Sequence, residues 1–275
     1  MGHAQLQSVV VHPVKAFRGT ALREAVVEPW GPARDRRWML IDGGGTVVTQ
    51  RQQPRLAQAA AELLPGGGVR LTAPGMEPHC VPVPNTLDPV PVRILRDKVE
   101  AVLAEDEAAH AWCSAYLGAD VRLVHMPDPA TCRPVDPEYA LPGETVSFAD
   151  GYPLLLTTTA SLDALNSLIA RGDHAHEGPL PMNRFRPNVV VSGTAAWAED
   201  DWSRIALGEV AFRVAKKCGR CTVTTTDQAT AERGREPLLT LAAHRRLEGR
   251  LLFGLNLVPL TGGTIRVGDP VTILD

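Results

Sequence analysis

Proline and glycine punctuate this chain at short intervals and limit how far any regular element can run. Its 275 residues include 24 Gly and 23 Pro, together about 17% against ~12% on average. Proline interrupts helices and central strands, and glycine serves turns. The pattern therefore favours many short strands over long helices. Apolar residues make up 44%, which is ordinary for a globular protein and argues against global disorder. The length admits one large domain or two small ones. With 28 basic and 31 acidic residues the formal charge is −3, so nothing draws the chain as a whole to nucleic acid or to an anionic membrane. The apolar runs at 152–156 and 251–260 fall far short of a bilayer span. The opening MGHAQLQS has no basic segment leading into an apolar one, so neither secretion by that route nor membrane anchoring is expected. The cysteines, Cys80, Cys113, Cys132, Cys218 and Cys221, are sparse and odd in number. They fit a reducing compartment, and a cytoplasmic location is the expectation.

Periodicity predicts strands over 7–12, 37–41, 46–49, 68–71, 80–83 and 92–95, with Asp42 to Gly45 as a hairpin turn. A helix is predicted from 54 or 55 to 64, stopped by Pro65-Gly66-Gly67-Gly68. A second runs over 105–117, with acids at its start and Gly118 just beyond its end. Residues 126–143 carry five prolines and read as a loop or inter-domain linker. Beyond it, strands are predicted at 154–157, 189–192, 204–207, 210–215, 222–226, 253–258, 264–267 and 271–274. The last three form a meander around a turn at Gly262-Gly263. Helices are predicted over 161–170 and 238–247. The fold class is α+β and β-rich, with barrel-like β architecture in two halves and a few helices.

The segment richest in chemistry is Lys216-Lys217-Cys218-Gly219-Arg220-Cys221. A thioredoxin-like pair begins a helix, whereas a β-branched run follows here. A structural zinc site needs a second ligand pair, and no other CxxC or HxxxH exists. A third reading is a single thiolate at a loop end, supported by the charges of Lys216, Lys217 and Arg220. Soft thiolates suit soft or high-valent metals. Two ordinary cysteines at a strand edge remain the plain alternative. Arg34-Asp35-Arg36-Arg37-Trp38 sets three guanidiniums beside a strand start. Arg184 and Arg186, two apart, fall on one face if the segment is extended, as Pro187 favours. Guanidinium forks grip phosphate, and Lys15 adds a cation at a strand exit. Each alone reads equally as a solvated face or a surface ion pair. Together they suggest a pocket for a phosphorylated, sulfur-liganded metal cofactor. Cys218 is expected as a buried small hydrophobe. His110 and Cys113, three apart, could share a metal but read better as part of a packed helix face. Glu199-Asp200-Asp201 is expected on the surface, and Asp269 before Pro270 in a turn.

In order along the chain stand HPVK at 12–15, RDRRW at 34–38, TQRQQPRL at 49–56 and RFRPN at 184–188. CGRC at 218–221, GREPLLTL at 234–241, LFG at 252–254 and GGTIRVGDPV at 262–271 follow. This set resembles the MOSC (molybdenum cofactor sulfurase C-terminal) family, preceded by the MOSC N-terminal β-barrel domain. It is similar to the branch holding the mitochondrial amidoxime reducing component and its bacterial relatives. The resemblance implies an N-terminal β-barrel-like domain over 1–125 and a MOSC-type β-barrel domain with peripheral helices over 126–275. It implies a molybdenum cofactor (Mo-molybdopterin) with Cys221 as both metal ligand and catalytic residue. Lys15, Arg36, Asp150, Gly151, Arg186, Asn188, Gly219 and Arg220 then bind the cofactor. Ala16, Gly151, Tyr152 and Gly219 stand where relatives often carry hydroxyls. The implied activity is reduction of N-hydroxylated small molecules such as amidoximes, hydroxylamines and N-hydroxy purines. No flavin, haem or iron–sulfur signature is present, so electrons are expected from an external donor, a ferredoxin-like or flavin reductase. Neither nucleic acid nor membrane is an expected partner. The family also permits a different class, a sulfur carrier or cofactor-binding module with a Cys221 persulfide. Pyridoxal phosphate binding comes with the family name alone, since its desulfurase domain is not expected in this chain. A plain thiol–disulfide protein using Cys218 and Cys221 is the third option.

Overall fold

A computed structural model describes residues 3–86 and 88–274. Among them the architecture is β-rich α+β, as the turn density requires, with 19 mostly short strands and four α-helices. The largest sheet has nine strands. Its path runs through Val271–Ile273, Arg204–Leu207, Val210–Gly219, Arg250–Pro259, Leu154–Thr158, Val189–Ser192, Gln5–Val11 and Thr20–Leu22. The path is open, although an isolated bridge joins Gln5, on the strand next to one end, to Pro270, beside the strand at the other end. Leu154–Thr158 and Val189–Ser192 pair in parallel, and helix Thr159–Ile169 lies on the crossover between them, as a parallel pair demands. Val189 and Val191 are fully buried and Val190 nearly so, which explains an unbroken apolar run in place of an alternating one.

The first strand, Gln5–Val11, pairs with Val189–Ser192, and Glu24–Glu28 pairs with Gly263–Arg266. Sequence-distant segments thus share ladders across the molecule. A second sheet runs through Trp38–Asp42, Val121–His125, Asp97–Leu103 and Pro89–Ile94. A three-stranded sheet, Ala60–Leu63, Val69–Ala73 and Met76–Val81, covers Phe17, Trp38, Trp112 and Tyr116 in one core. Helix Glu107–Leu117 begins where the Asp106 carboxylate accepts from Ala108 N–H and ends at Gly118 in the left-handed region. His110 accepts from Leu123 N–H through Nδ1 and lies 3.1 Å from the Ala104 carbonyl through Nε2. It is a satisfied core histidine, and Cys113 beside it is buried with its thiol pushed up to about 12 by burial.

Several expected elements are corrected. The helix over 54–64 is one 3-10 turn, Pro54–Ala57, followed by strand Ala60–Leu63. The alanines there favour a helix, but pairing with Val69–Ala73 buries Ala61 and Leu71 completely, so tertiary burial overrides local preference. The strand over 222–226 is a 3-10 turn, Thr222–Thr225. The hydroxyls of Thr224 and Thr225 bond back to the carbonyls of Cys221 and Thr222, the local competition such residues offer. Helix 238–247 stops at His244, and Arg246–Leu247 turns back as a strand. The final meander does not form, because Gly263–Arg266 pairs with Glu24–Glu28 and Val271–Ile273 with Arg204–Leu207. Segment 126–143 is packed: Arg133 and Val135 are buried, and a helical turn spans Pro129–Cys132. Glu199 is not on the surface. It is 1% exposed and accepts from the Thr158 hydroxyl, and burial raises its pKa above the usual range.

Gly254 shows how tightly the large sheet closes. Its φ is +80°, and a Cβ there would lie 2.5 Å from the Leu156 carbonyl oxygen. Gly254→Ala should lower the thermal midpoint by about 2–12 °C, read by circular dichroism. An unchanged midpoint would refute this close approach.

Candidate functional site

One cleft of about 1000 Å³ collects residues from both ends of the chain. Its walls carry ten basic side chains against three acidic ones, although the whole chain is net negative at −3. Such a local excess attracts and retains an anion. All nine residues singled out from the sequence line it: Lys15, Arg36, Asp150, Gly151, Arg186, Asn188, Gly219, Arg220 and Cys221.

The backbone delivers these side chains from strand ends and strained turns. Lys15 follows the exit of Gln5–Val11, with its N–H bonded to the Trp38 carbonyl. Its ammonium pairs with Asp150 Oδ1. Arg36 Nη1 pairs with Asp35 and donates to Asn188 Oδ1 at 3.1 Å. That amide oxygen also accepts from Leu155 N–H, while Asn188 Nδ2 donates to the Val10 carbonyl. Asn188 thereby ties three strands and one guanidinium together. Arg186 Nη2 lies 3.2 Å from His12 Nδ1, and its Nη1 donates to Gln228. Ala16, Arg36 and Arg186 all have φ between 50° and 70°. Non-glycine residues reach that region only under strain, and such strain gathers at functional sites.

The extended reading of 184–186 is corrected by this geometry. Met182–Phe185 is a 3-10 turn and Arg186 is left-handed, so the two guanidiniums diverge. Both line the cleft, Arg186 beside His12 and Gln228, while Arg184 holds the Thr225 carbonyl and Asp227. Arg184 thereby steadies the turn that follows Cys221. The basic run at 34–37 divides likewise. Arg36 faces the cleft, and Arg37 binds the carbonyls of Met126 and Pro127.

Cys221 sits just past the long strand Val210–Gly219, half-buried at the cleft wall. Lys216 turns to Asp136 and the Tyr139 ring, and Lys217 to Asp200. The cation that reaches the Cys221 sulfur is Arg51, whose Nη2 lies 3.3 Å away. The sequence reading missed Arg51, although the TQRQQPRL run contains it, because 170 residues separate the pair. Arg133 was missed too. It is buried, donates to the carbonyls of Ala149 and Asp150, and fixes the Asp150-Gly151 turn. Cys218 is corrected as well. It is part-exposed, lines the cleft and lies 2.9 Å from Arg220 Nη1. Arg220 also binds the Phe185 carbonyl, and its guanidinium stands over the Phe185 ring.

Electrostatics at the cleft floor call for an anion. Burial lowers the Lys15 pKa to about 8 despite Asp150, and burial with the Arg36 charge lowers Arg186 to about 9. Burial, then Arg186 and Arg36, hold His12 well below its usual range, so it is neutral. His12 Nε2 and Arg220 Nε are buried without a hydrogen-bond partner. A bound phosphate would relieve the crowding of like charge. The residues therefore fit a group with an anionic tail and a metal able to take a thiolate.

The Lys15 charge and the hydrogen bond from its ammonium hold Asp150 far below the usual carboxylate range. A depressed carboxylate stabilises the fold above its unfolded value of 3.8 and loses that contribution as pH falls. Asp150 is 71% exposed, so Asp150→Asn should cost about 1 kcal/mol or less at pH 7. The gap in thermal midpoint from wild type should hold down to about pH 5 and close below about pH 4. A gap that widens on acidification would reverse the sign.

Comparison with known proteins shows the family. The MOSC N-terminal beta barrel domain family matches residues 3–120, and the MOSC domain family matches residues 143–272. Mitochondrial amidoxime-reducing component 1 of Danio rerio is 34% identical over 96% of this chain and 82% of its own length. Its Homo sapiens counterpart is 32% identical over 96% and 81%. Molybdenum cofactor sulfurase of Oryza sativa subsp. japonica is 26% identical over 91% of this chain, which spans 32% of that longer protein. Among the described residues no helix is long and apolar enough to cross a membrane. On these matches the chain belongs to the MOSC family, with a MOSC N-terminal β-barrel domain ahead of its MOSC domain.

Proposed function

We propose that this protein is a molybdenum-cofactor-dependent reductase of N-hydroxylated small molecules. The observation that carries the reading is the convergence of Cys221 with a part-buried cationic cradle drawn from both halves. The names of the amidoxime-reducing relatives support the reaction class. Cys221 is the thiolate ligand and catalytic residue. Lys15, Arg36 and Arg186, with Asn188 as their brace, take the phosphate and pterin. Arg220, Gly219, Gly151 and Asp150 close the sides, the glycines through backbone groups where a hydroxyl is missing. We assign this work to two units, 1–125 and 126–275, whose shared cleft needs both.

When bound, the cofactor supplies a metal that accepts oxygen from the substrate nitrogen and cycles two electrons. The chain's own part is to hold and orient. Arg51 keeps a positive charge 3.3 Å from the Cys221 sulfur. The Lys15–Asp150 pair and the Arg36–Asn188 bond preorganise the anion seat. Electrons come from a separate donor, a ferredoxin-like or flavin reductase. All five cysteines are unpaired, in keeping with a reducing, cytoplasmic setting.

Similarity to the sulfurase favours one second reading, in which Cys221 carries a persulfide. Purification from a host that makes molybdopterin should give about one molybdenum per chain and benzamidoxime reduction with an artificial donor. A metal-free chain that gains cyanide-labile sulfur would favour the carrier. Cys221→Ser should lose both metal and turnover, whereas Cys218→Ala should be mild. A Cys221→Ser protein retaining metal and rate would defeat the ligand assignment. Arg186→Gln removes a charge-assisted contact of about 1.5–3 kcal/mol, so cofactor retention should weaken by about 10–100-fold. Fluorescence of the released, oxidised pterin measures it.

A further inference from the structure

Between helix Thr159–Ile169 and the Arg186 turn, the chain reads His174-Ala175-His176-Glu177. Ala175–Glu177 is a single 3-10 turn with His174 at its leading edge. One donor atom each from His174, His176 and Glu177 lies within 4.8 Å of the others. Among the described residues this is the one place where three such metal-ligating donors converge. A tetrahedral ion with bonds of ~2.0–2.2 Å sets its donors roughly 3.4 Å apart, so the site closes with a small side-chain swing. His176 is exposed and can make it.

Two further observations point to a ligand there. His174 Nδ1 is buried and makes no hydrogen bond, although Glu177 Oε1 lies 3.2 Å away. A buried imidazole nitrogen is rarely left so. The carboxylate is also held in place from behind. Glu177 Oε2 accepts from the backbone N–H of Arg235 at 2.8 Å and of Glu236 at 2.9 Å. A Cβ at Gly234 would lie 2.1 Å from that oxygen, so glycine there permits the approach. Oε1 is left beside His174 Nδ1, at 3.2 Å. Outer hydrogen bonds that orient a carboxylate in this way are typical of metal ligands.

We propose that His174, His176 and Glu177 bind a borderline divalent transition ion of the zinc type, with water completing its shell. Two neutral imidazoles and one carboxylate are the donor set that such ions prefer. The site has a mechanical consequence. The segment that holds Glu177 begins at Arg233, which donates to the carbonyls of Gln50 and Arg51. Gly234 N–H bonds to the Thr225 carbonyl. The ion therefore fastens the strap that steadies Arg51 and the turn after Cys221. It is a positioning element for the cleft wall and takes no part in redox chemistry.

The test uses the tag-free full-length chain, stripped with chelator and titrated with zinc against a chromophoric chelator. Wild type should hold one zinc per chain, as should the Cys218→Ser/Cys221→Ser double variant. His174→Ala and His176→Ala should each weaken zinc by at least ~10–100-fold, since loss of even an outer partner costs that much. Zinc should raise the wild-type thermal midpoint and leave that of His176→Ala unmoved. His176 is exposed, so its variant folds as wild type and keeps the test interpretable. Zinc that follows the cysteines in place of the histidines, or no zinc above background, overturns the proposal. The assay needs no molybdenum, so its outcome is separate from that of the proposed reductase.

Discussion

The charge held at the floor of the cleft organises everything around it. Lys15, Arg36 and Arg186 are brought close enough for burial and mutual repulsion to lower Lys15 and Arg186 well below their ordinary values. Such a cluster is costly unless partners offset it. Asp150 and Asp35 supply opposite charge, Asn188 braces Arg36 against two strands, and neutral His12 faces Arg186. These partners leave a surplus of positive charge, which suits an anion. The cleft is a preorganised seat in which the reorganisation cost is met on folding.

Tertiary topology makes the seat possible. The parallel crossover from Leu154–Thr158 to Val189–Ser192 puts the Arg186 turn at one end of the large sheet. Pairing of Gln5–Val11 with Val189–Ser192 brings Lys15 and His12 to the same end. Cys221, just past the long strand Val210–Gly219, lines the same cleft. Left-handed backbone at Ala16, Arg36 and Arg186 then aims the chain inward. Each is strained alone and is held by its neighbours, as expected where binding takes precedence over stability.

Local signals carried much of the candidate site. The CGRC loop, the RFRPN run and HPVK are compact, chemically pointed motifs, and every residue chosen from them reaches the cleft. Contributions made by distance alone were missed. Arg51 acts on Cys221 across 170 residues, and Arg133 looked like part of a linker until burial and four acceptors revealed it as a brace. Residues 54–64 and 222–226 misled in opposite ways, one by helix formers and the other by β-branched threonines. In both, hydrogen bonds to other parts of the fold or to local carbonyls prevailed over propensity. The His174 cluster escaped notice because its H-A-H-E spacing matches no common zinc pattern and only the turn gathers the three donors.

From the amino-acid order alone came the β-rich class, the short elements, the thiol loop and the cations Lys15, Arg36, Arg186 and Arg220. These follow from turn chemistry, periodicity and charge, which act within a few residues. Only the tertiary structure decided which guanidinium enters the cleft, which cation reaches the sulfur and which strands share a ladder. Those outcomes rest on pairings between residues far apart in the chain. They are set by burial and by the need to satisfy every enclosed polar group, neither of which exists until the chain has closed on itself.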